Sequence, residues 1–242
     1  MNFNMSRFQA IRDKIEYAEH QRQNLMNALY DSKKESKEPK FIVHTVADIL
    51  SSTIECYDYC AQDILQEKVI NLTKNRNILD RHNKGSLRAY FPFYENELLN
   101  TKNPFSELRI TEPLMHEYLV SLAKNIVSTN NIPKTLFKYS DIIRLKNLVN
   151  EKKHDRLIAI EANDNQEILI ENPNMKIIIP IKEQKGWNKF QVSPGLNVSR
   201  VTEFRLEFID EEVSKFCMFA TGSTRIILED IYATMNKLAI AP

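Results

Sequence analysis

Two polar side chains near residue 150 have the types and the spacing for acid–base chemistry. Asn150 and His154 lie four residues apart in the segment LVNEKKHDRL, residues 148–157. A spacing of four places both side chains on one face of a helix. A histidine whose pKa lies near neutrality can move a hydroxyl proton, so His154 is a candidate general base. The alternative is that both residues only make polar bonds at a helix end.

A second arrangement of this kind occurs in the segment KNRNILDRH, residues 74–82. Here Arg76 and the polar residue Asn77 are followed by His82, with five residues between the arginine and the histidine. Arg76 and His82 are therefore an alternative catalytic pair. The same spacing also arises by chance in a chain with 33 lysines and arginines.

The same stretch holds the densest group of cations in the chain, opposed by a single carboxylate, Asp80. The five cations are Lys74, Arg76, Arg81, Lys84 and Arg88. Four aromatic residues follow directly: Tyr90, Phe91, Phe93 and Tyr94. Cations for phosphates beside rings for base stacking are typical of single-strand binding and predict RNA contact. The alternative is a solvated loop whose aromatic side chains fill the helical core.

Helical periodicity dominates the first half of the chain and predicts two long helices. The first apolar stripe, with residues three and four apart, is Phe8, Ile11, Ile15, Ala18, Leu25 and Leu29. Arg22 occupies the stripe position between Ala18 and Leu25. Its side chain either reaches solvent at the end of the bundle, forms an ion pair with Glu55 or Asp58, or supplies the positive charge that the site at His154 lacks. A second stripe from Ile42 predicts a helix as far as about Leu65 or Val69, which forms a hairpin with the first.

The rest of residues 1–155 predicts two more bundle helices after an irregular insertion near residues 71–111. One helix is predicted over residues 112–127, with Pro113 in its first turn. Another is predicted from the capping residue Ser140 to His154. We therefore expect a four-helix N-terminal bundle.

From residue 156 the period changes to the alternation of β-strands. Two strands are predicted around the Asn-Pro-Asn turn within residues 167–181, and a hairpin is predicted from residues 197–210 and 213–221. A closing helix is predicted from Ser223 or Thr224. The expected fold class is α+β, in which residues 156–242 form a small antiparallel β domain closed by a helix.

The bundle and the short polar motif resemble the HEPN superfamily. That family's signature is an arginine, a polar residue that is often asparagine, and a histidine, on a four-helix bundle. The resemblance covers about residues 5–156. It implies a homodimer that cuts RNA without a metal, in a prokaryotic defence or toxin setting, with His154 and Asn150 as site residues.

The motif departs from the family pattern at its arginine, because Val149 occupies that position. Valine neither carries charge nor donates a hydrogen bond, so the usual catalytic pair is broken. We expect a degenerate endoribonuclease with little activity, which the substitution Val149→Arg restores if the ancestral geometry persists.

Composition and missing motifs exclude several other classes. A net charge of +1 does not indicate a polyelectrolyte binder, and three cysteines do not indicate a secreted disulfide framework. Phosphate-loop, dinucleotide and zinc-protease motifs are absent, so no cofactor and no metal are expected. No apolar run approaches ~18 residues, which predicts a cytoplasmic protein without a membrane partner. The alternative function is a non-catalytic module in which the bundle dimerises and the β domain binds a protein.

Overall fold

The computed structural model describes residues 5–35, 41–153, 160–172, 175–180, 197–206 and 211–240. These residues are mostly helical, with a small antiparallel sheet in the C-terminal third and a long helix after it. Among them, no helix has both the length and the apolar character needed to cross a membrane.

The described residues form eight α-helices and four strands. The helices are α1 (Met5–Glu35), α2 (Ile42–Ile64), α3 (Arg76–Asn83), α4 (Glu95–Leu99), α5 (Leu108–Thr111), α6 (Pro113–Ile126), α7 (Ser140–Lys153) and α8 (Val213–Ile240). The strands are β1 (Ile160–Asn172), β2 (Met175–Pro180), β3 (Asn197–Leu206) and β4 (Glu211–Glu212). A π-helical segment (Leu65–Ile70) extends α2, and a 3-10 turn (Pro104–Glu107) precedes α5.

The predicted hairpin of two long helices is confirmed by α1 and α2. The first stripe faces the core, where Ile11, Ile15 and Leu25 are all buried. The two helices run antiparallel, and an ion pair between Lys14 and Glu55 joins their outer edges. Burial of the stripe, rather than helix propensity alone, is what stabilises helices of this length.

The insertion and the two later helices also match the sequence-based expectations. Residues 71–111 contain only the short helical pieces α3, α4, the 3-10 turn and α5. Pro113 is the first residue of α6, where its missing N–H is not needed. The fourth predicted helix is α7, whose buried residues include Ile142, Leu145 and Leu148.

The start of the closing helix was predicted wrongly. Residues 213–221 were expected to form a strand, but α8 begins at Val213 and runs without interruption to Ile240. Val213, Phe216 and Cys217 are buried on one side at helical spacing. Packing of this face on the bundle outweighs the strand preference of the aromatic and β-branched residues nearby.

The helix α8 packs between α1 and α2 and belongs to the same core. Its Tyr232 hydroxyl donates to the carboxylate of Asp63 on α2, and its Arg225 Nη2 lies 2.7 Å from Glu19 Oε2 on α1. The helical core therefore includes residues from both sides of position 155. The domain boundary predicted there stays a prediction.

The sheet has the strand order β2-β1-β3-β4 and is antiparallel throughout. The hairpin predicted around the Asn-Pro-Asn turn is confirmed, because β1 pairs with β2 from Asn172↔Met175 to Glu167↔Pro180. The strand β4 is only two residues long and pairs with the end of β3. It brings the chain directly into α8.

Candidate nucleic-acid interface

The helix α3 is fixed to the bundle by one apolar residue and one carboxylate. Ile78 is its buried residue. Just before the helix, Thr73 Oγ1 donates to Glu107 Oε1 at 2.7 Å and Asn75 Nδ2 donates to Glu107 Oε2 at 3.2 Å. The side of α3 opposite Ile78 is exposed and includes Arg76 and Asp80.

The five predicted cations lie on and around this helix. Lys74, Arg76, Lys84 and Arg88 are exposed, and Arg81 is half-buried. Within the part of the chain that the structure describes, no carboxylate forms an ion pair with any of them. Their charges are therefore available to an outside anion.

The aromatic residues after the cations divide into two groups. Phe91 and Phe93 are buried, with ring centroids 5.0 Å and 5.3 Å from the ring of the buried Tyr57. Tyr94 is half-buried, and the Lys146 ammonium lies over its ring in a cation–π contact, 4.4 Å from the ring centroid. Tyr90 alone of the four is well exposed, at 65%. The alternative interpretation, in which aromatic residues fill the core, holds for Phe91 and Phe93.

Burial alternates along the irregular segment after α3: Arg88 and Tyr90 are exposed, whereas Ala89 and Phe91 are buried. The Ala89 carbonyl accepts a hydrogen bond from Gln62, and the Phe91 N–H donates to Asp58 Oδ1 at 3.2 Å. Ala89 and Phe91 face the core, and Arg88 and Tyr90 both face solvent. We call the following set the α3 surface: Lys74, Arg76, Arg81, Lys84, Arg88 and Tyr90.

The structure does not bring the alternative catalytic pair together within one molecule. Arg76 and His82 are six residues apart on α3, which corresponds to about 9 Å along the axis and to different helix faces. Arg76 is exposed and His82 is half-buried.

The first candidate site lies at the end of α7. Asn150 is exposed there, whereas its neighbour Val149 is buried in the core. His154 lies outside the described residues, so its role stays a prediction. The motif position that the family fills with arginine points into the bundle and not toward a surface.

Arg22 lies in the core-facing stripe of α1 next to α8. Its charge lowers the pKa of the Cys217 thiol, but burial outweighs that effect and raises the pKa to about 12. Its Nε atom is buried and, among the described residues, has no hydrogen-bond partner. Of the alternatives for this side chain, pairing with Glu55 or Asp58 is not observed, since among the described residues Arg22 forms no ion pair.

The thiols of Cys56 and Cys60 are buried and form no disulfide. Burial raises the pKa of Cys56 to about 12 and raises that of Cys60 well above its usual value. Both are therefore neutral thiols at pH 7 and poor nucleophiles. Among the described residues, no group of three or more His, Cys, Asp or Glu side chains is arranged to hold a metal ion.

A concave region between residues 134–138, the start of α7 and the start of α8 was not expected from the sequence. Its clearest sequence signal is a large apolar residue, Leu136, in a polar loop. That side chain is 93% exposed.

Comparison with known proteins identifies no relative: no family model, no curated protein and no solved structure matches this chain.

Proposed function

We propose that this protein binds single-stranded RNA through the α3 surface. The observation that carries the proposal is the exposure of both Arg88 and Tyr90 on a segment that hydrogen bonds at Ala89 and Phe91 anchor to α2. A cation beside an exposed ring offers one group for a phosphate and one for the adjacent base. The other cations of this set, on and next to α3, add positive charge in the same part of the chain.

The resemblance to the HEPN superfamily supports RNA as the partner and adds a proposal about cleavage. In that proposal His154 acts as general base and Asn150 assists, without a metal, in a defence or toxin setting. Two observations favour binding over efficient cleavage. Val149 is buried where the family has arginine, and Arg76 and His82 lie on different faces of α3.

Removing two charges from the α3 surface is expected to weaken RNA binding and its salt dependence. The slope of log K against log[salt] is negative, and each single-strand phosphate contact contributes about −0.7 to it. The double variant Arg76→Gln/Lys84→Gln should therefore make this slope less steep by about 1.4. Fluorescence anisotropy with a labelled, unstructured RNA at several salt concentrations measures both quantities. Tyr90→Ala should cost a further stacking contribution of about 1–3 kcal/mol.

Matched variants separate the α3 surface from general charge effects. Lys102→Gln/Lys237→Gln removes two exposed cations elsewhere, and Tyr17→Ala removes an exposed ring on α1. Both controls should bind as the wild type does. Equal weakening by the controls would show that binding is a property of net charge and not of this surface.

A second candidate is a self-associating interaction module. Two large apolar side chains on consecutive helices are unusually exposed: Ile110 at 77% and Leu114 at 60%. Leu99, also exposed, lies close by, because its carbonyl accepts a hydrogen bond from Arg109 at 3.1 Å. An apolar surface of this kind is typical of a protein contact.

We expect the variant Ile110→Asp/Leu114→Asp to abolish dimerisation if this apolar surface joins two copies. Light scattering coupled to size-exclusion chromatography measures the mass of each species. Leu136→Asp, an equally exposed apolar position elsewhere, is the control and should leave the mass unchanged. A wild-type protein that stays monomeric at high concentration contradicts the homodimer.

A further inference from the structure

A concavity lies between the loop before α7 and the first turns of α8. It encloses about 570 Å³. That volume lies within the range of small-molecule sites, about 300–1,000 Å³. Residues 134–138 form one wall, and the starts of α7 and α8 form the others.

Three aromatic residues, Phe137, Phe216 and Phe219, line this groove, and Phe216 and Phe219 are almost fully buried beneath it. Phe219 lies 5.6 Å, centroid to centroid, from both Phe137 and Phe216. Phe137 approaches α8 at Gly222, where an added Cβ would lie 3.2 Å from its ring. A glycine inside a helix costs about 1 kcal/mol relative to alanine, and here its small size lets the ring pack closely. The exposed side chains of Leu136 and Met218 continue the apolar surface to the rim.

Some of the charged side chains around the groove form ion pairs with one another, and others do not. Arg144 Nη1 lies 2.8 Å from Asp141 Oδ1 and 3.5 Å from Glu211 Oε1, and Lys215 Nζ lies 3.8 Å from Glu211 Oε2. These contacts neutralise the two carboxylates but leave them further lone pairs. Lys134 is exposed and, within the described residues, has no carboxylate partner.

Lys138, like Lys134, is exposed and has no acidic partner among the described residues. The two lysines flank the loop tip, where the Ile132 N–H donates to the Phe137 carbonyl at 2.8 Å. Lys134 adopts a φ of 64°, a left-handed conformation that lysine rarely occupies. Two ammonium groups without acidic partners make the mouth of the groove electropositive.

We propose that this groove binds a ribonucleotide. The flat base lies on the apolar floor between Leu136 and Met218, and the phosphates contact Lys134 and Lys138. The carboxylates of Asp141 and Glu211 accept hydrogen bonds from the ribose hydroxyls, as acidic residues do in dinucleotide sites. Apolar floor, cationic rim and paired carboxylates thus match the three chemical parts of one ligand.

This site is separate from the α3 surface and does not depend on it. Phe216 is at the start of α8, whereas Tyr232 contacts Asp63 close to the α2 extension on which α3 packs. Between Phe216 and Tyr232 the helix rises about 24 Å, at about 1.5 Å per residue. The nucleotide is either free or the terminal residue of a bound RNA.

The test is isothermal titration calorimetry of the full chain with ADP, GDP, CDP and UDP, and with dADP, pyrophosphate and adenosine. We expect at least one ribonucleoside diphosphate to bind more tightly than pyrophosphate or adenosine, and dADP to bind more weakly than ADP. Lys134→Glu/Lys138→Glu should weaken binding about tenfold or more, because two charge-assisted contacts are lost. Leu136→Ser/Met218→Ser, at exposed positions that folding does not require, should also weaken it.

The matched control Lys102→Glu/Lys237→Glu reverses two exposed charges outside the groove and should bind nucleotide as the wild type does. Competition between ADP and a short RNA identifies the source. Displacement of the RNA by ADP, lost in Lys134→Glu/Lys138→Glu, assigns the site to an RNA terminus, and independent binding assigns it to a free nucleotide. No heat with any nucleotide, or pyrophosphate binding as tight as ADP binding, overturns the proposal, whatever the fate of RNA binding at α3.

Discussion

We expect Val149→Arg to destabilise the protein and not to restore a nuclease. The side chain of Val149 is 1% exposed, on the face of α7 that packs against α2, α6 and α8. An unpaired guanidinium at such a position costs about 3–5 kcal/mol or more, a large part of the stability of a typical domain. The expectation of restored activity, which follows from the family motif alone, conflicts with this packing.

Urea unfolding followed by circular dichroism measures the effect directly. Asn150→Arg is the matched control, because it introduces the same charge at the next residue, which is exposed. We expect the control to stay within about 0.5 kcal/mol of the wild type. If both variants are equally stable, α7 does not bury the face that carries Val149. Loss of RNA cleavage in Val149→Arg would report unfolding, so cleavage by His154 is better tested in the His154→Ala variant with excess chelator.

The long helices were predictable because their apolar residues recur at intervals that only a helix places on one side. Ile11, Ile15 and Leu25 of α1 are buried as the stripe requires. The β1–β2 hairpin was predictable for a similar reason, since alternation on either side of a turn determines its register. In both cases local pattern and tertiary burial agree.

The first part of α8 was not predictable from its composition. Its residues include Val213, Phe216 and Phe219, which favour strands when they lie near a turn. Helical spacing was present in the same residues, but it becomes decisive only when α1 and α2 supply a surface to bury them. Tertiary packing, which a single sequence does not display, selected the helix.

The candidate sites divide along the same line. The cations of the α3 surface were predictable, because charged side chains near a short polar helix remain in solvent. The sequence did not distinguish Tyr90 from Phe91, because that depends on a contact with Tyr57 on another helix. The groove was not predictable at all, since Lys134, Arg144 and Phe216 meet only in the folded chain.

The second large effect is expected for Tyr57→Ala, which should lower the stability of the protein and weaken RNA binding. The reason is that the Tyr57 ring helps to anchor the segment of the α3 surface that contains Arg88 and Tyr90. Tyr57 is fully buried and its ring contacts Phe91 and Phe93. Truncation of a buried ring to alanine typically costs about 3–5 kcal/mol, partly through the cavity that remains. Because Phe91 holds the segment that presents Arg88 and Tyr90, we expect faster trypsin cleavage after Arg88 and weaker RNA binding.

Tyr57→Phe is the control that separates the ring from its hydroxyl. Burial raises the pKa of Tyr57, so its hydroxyl stays neutral, and among the described residues that oxygen has no hydrogen-bond partner, although Thr224 is its polar neighbour. Removing a buried hydroxyl without a partner should leave the free energy of unfolding unchanged or raise it by about 1 kcal/mol. Urea unfolding and trypsin digestion of the three proteins test both expectations.

If Tyr57→Phe is as unstable as Tyr57→Ala, the hydroxyl is bonded in solution. If Tyr57→Ala loses stability but keeps wild-type cleavage after Arg88, the aromatic contact does not position the α3 surface.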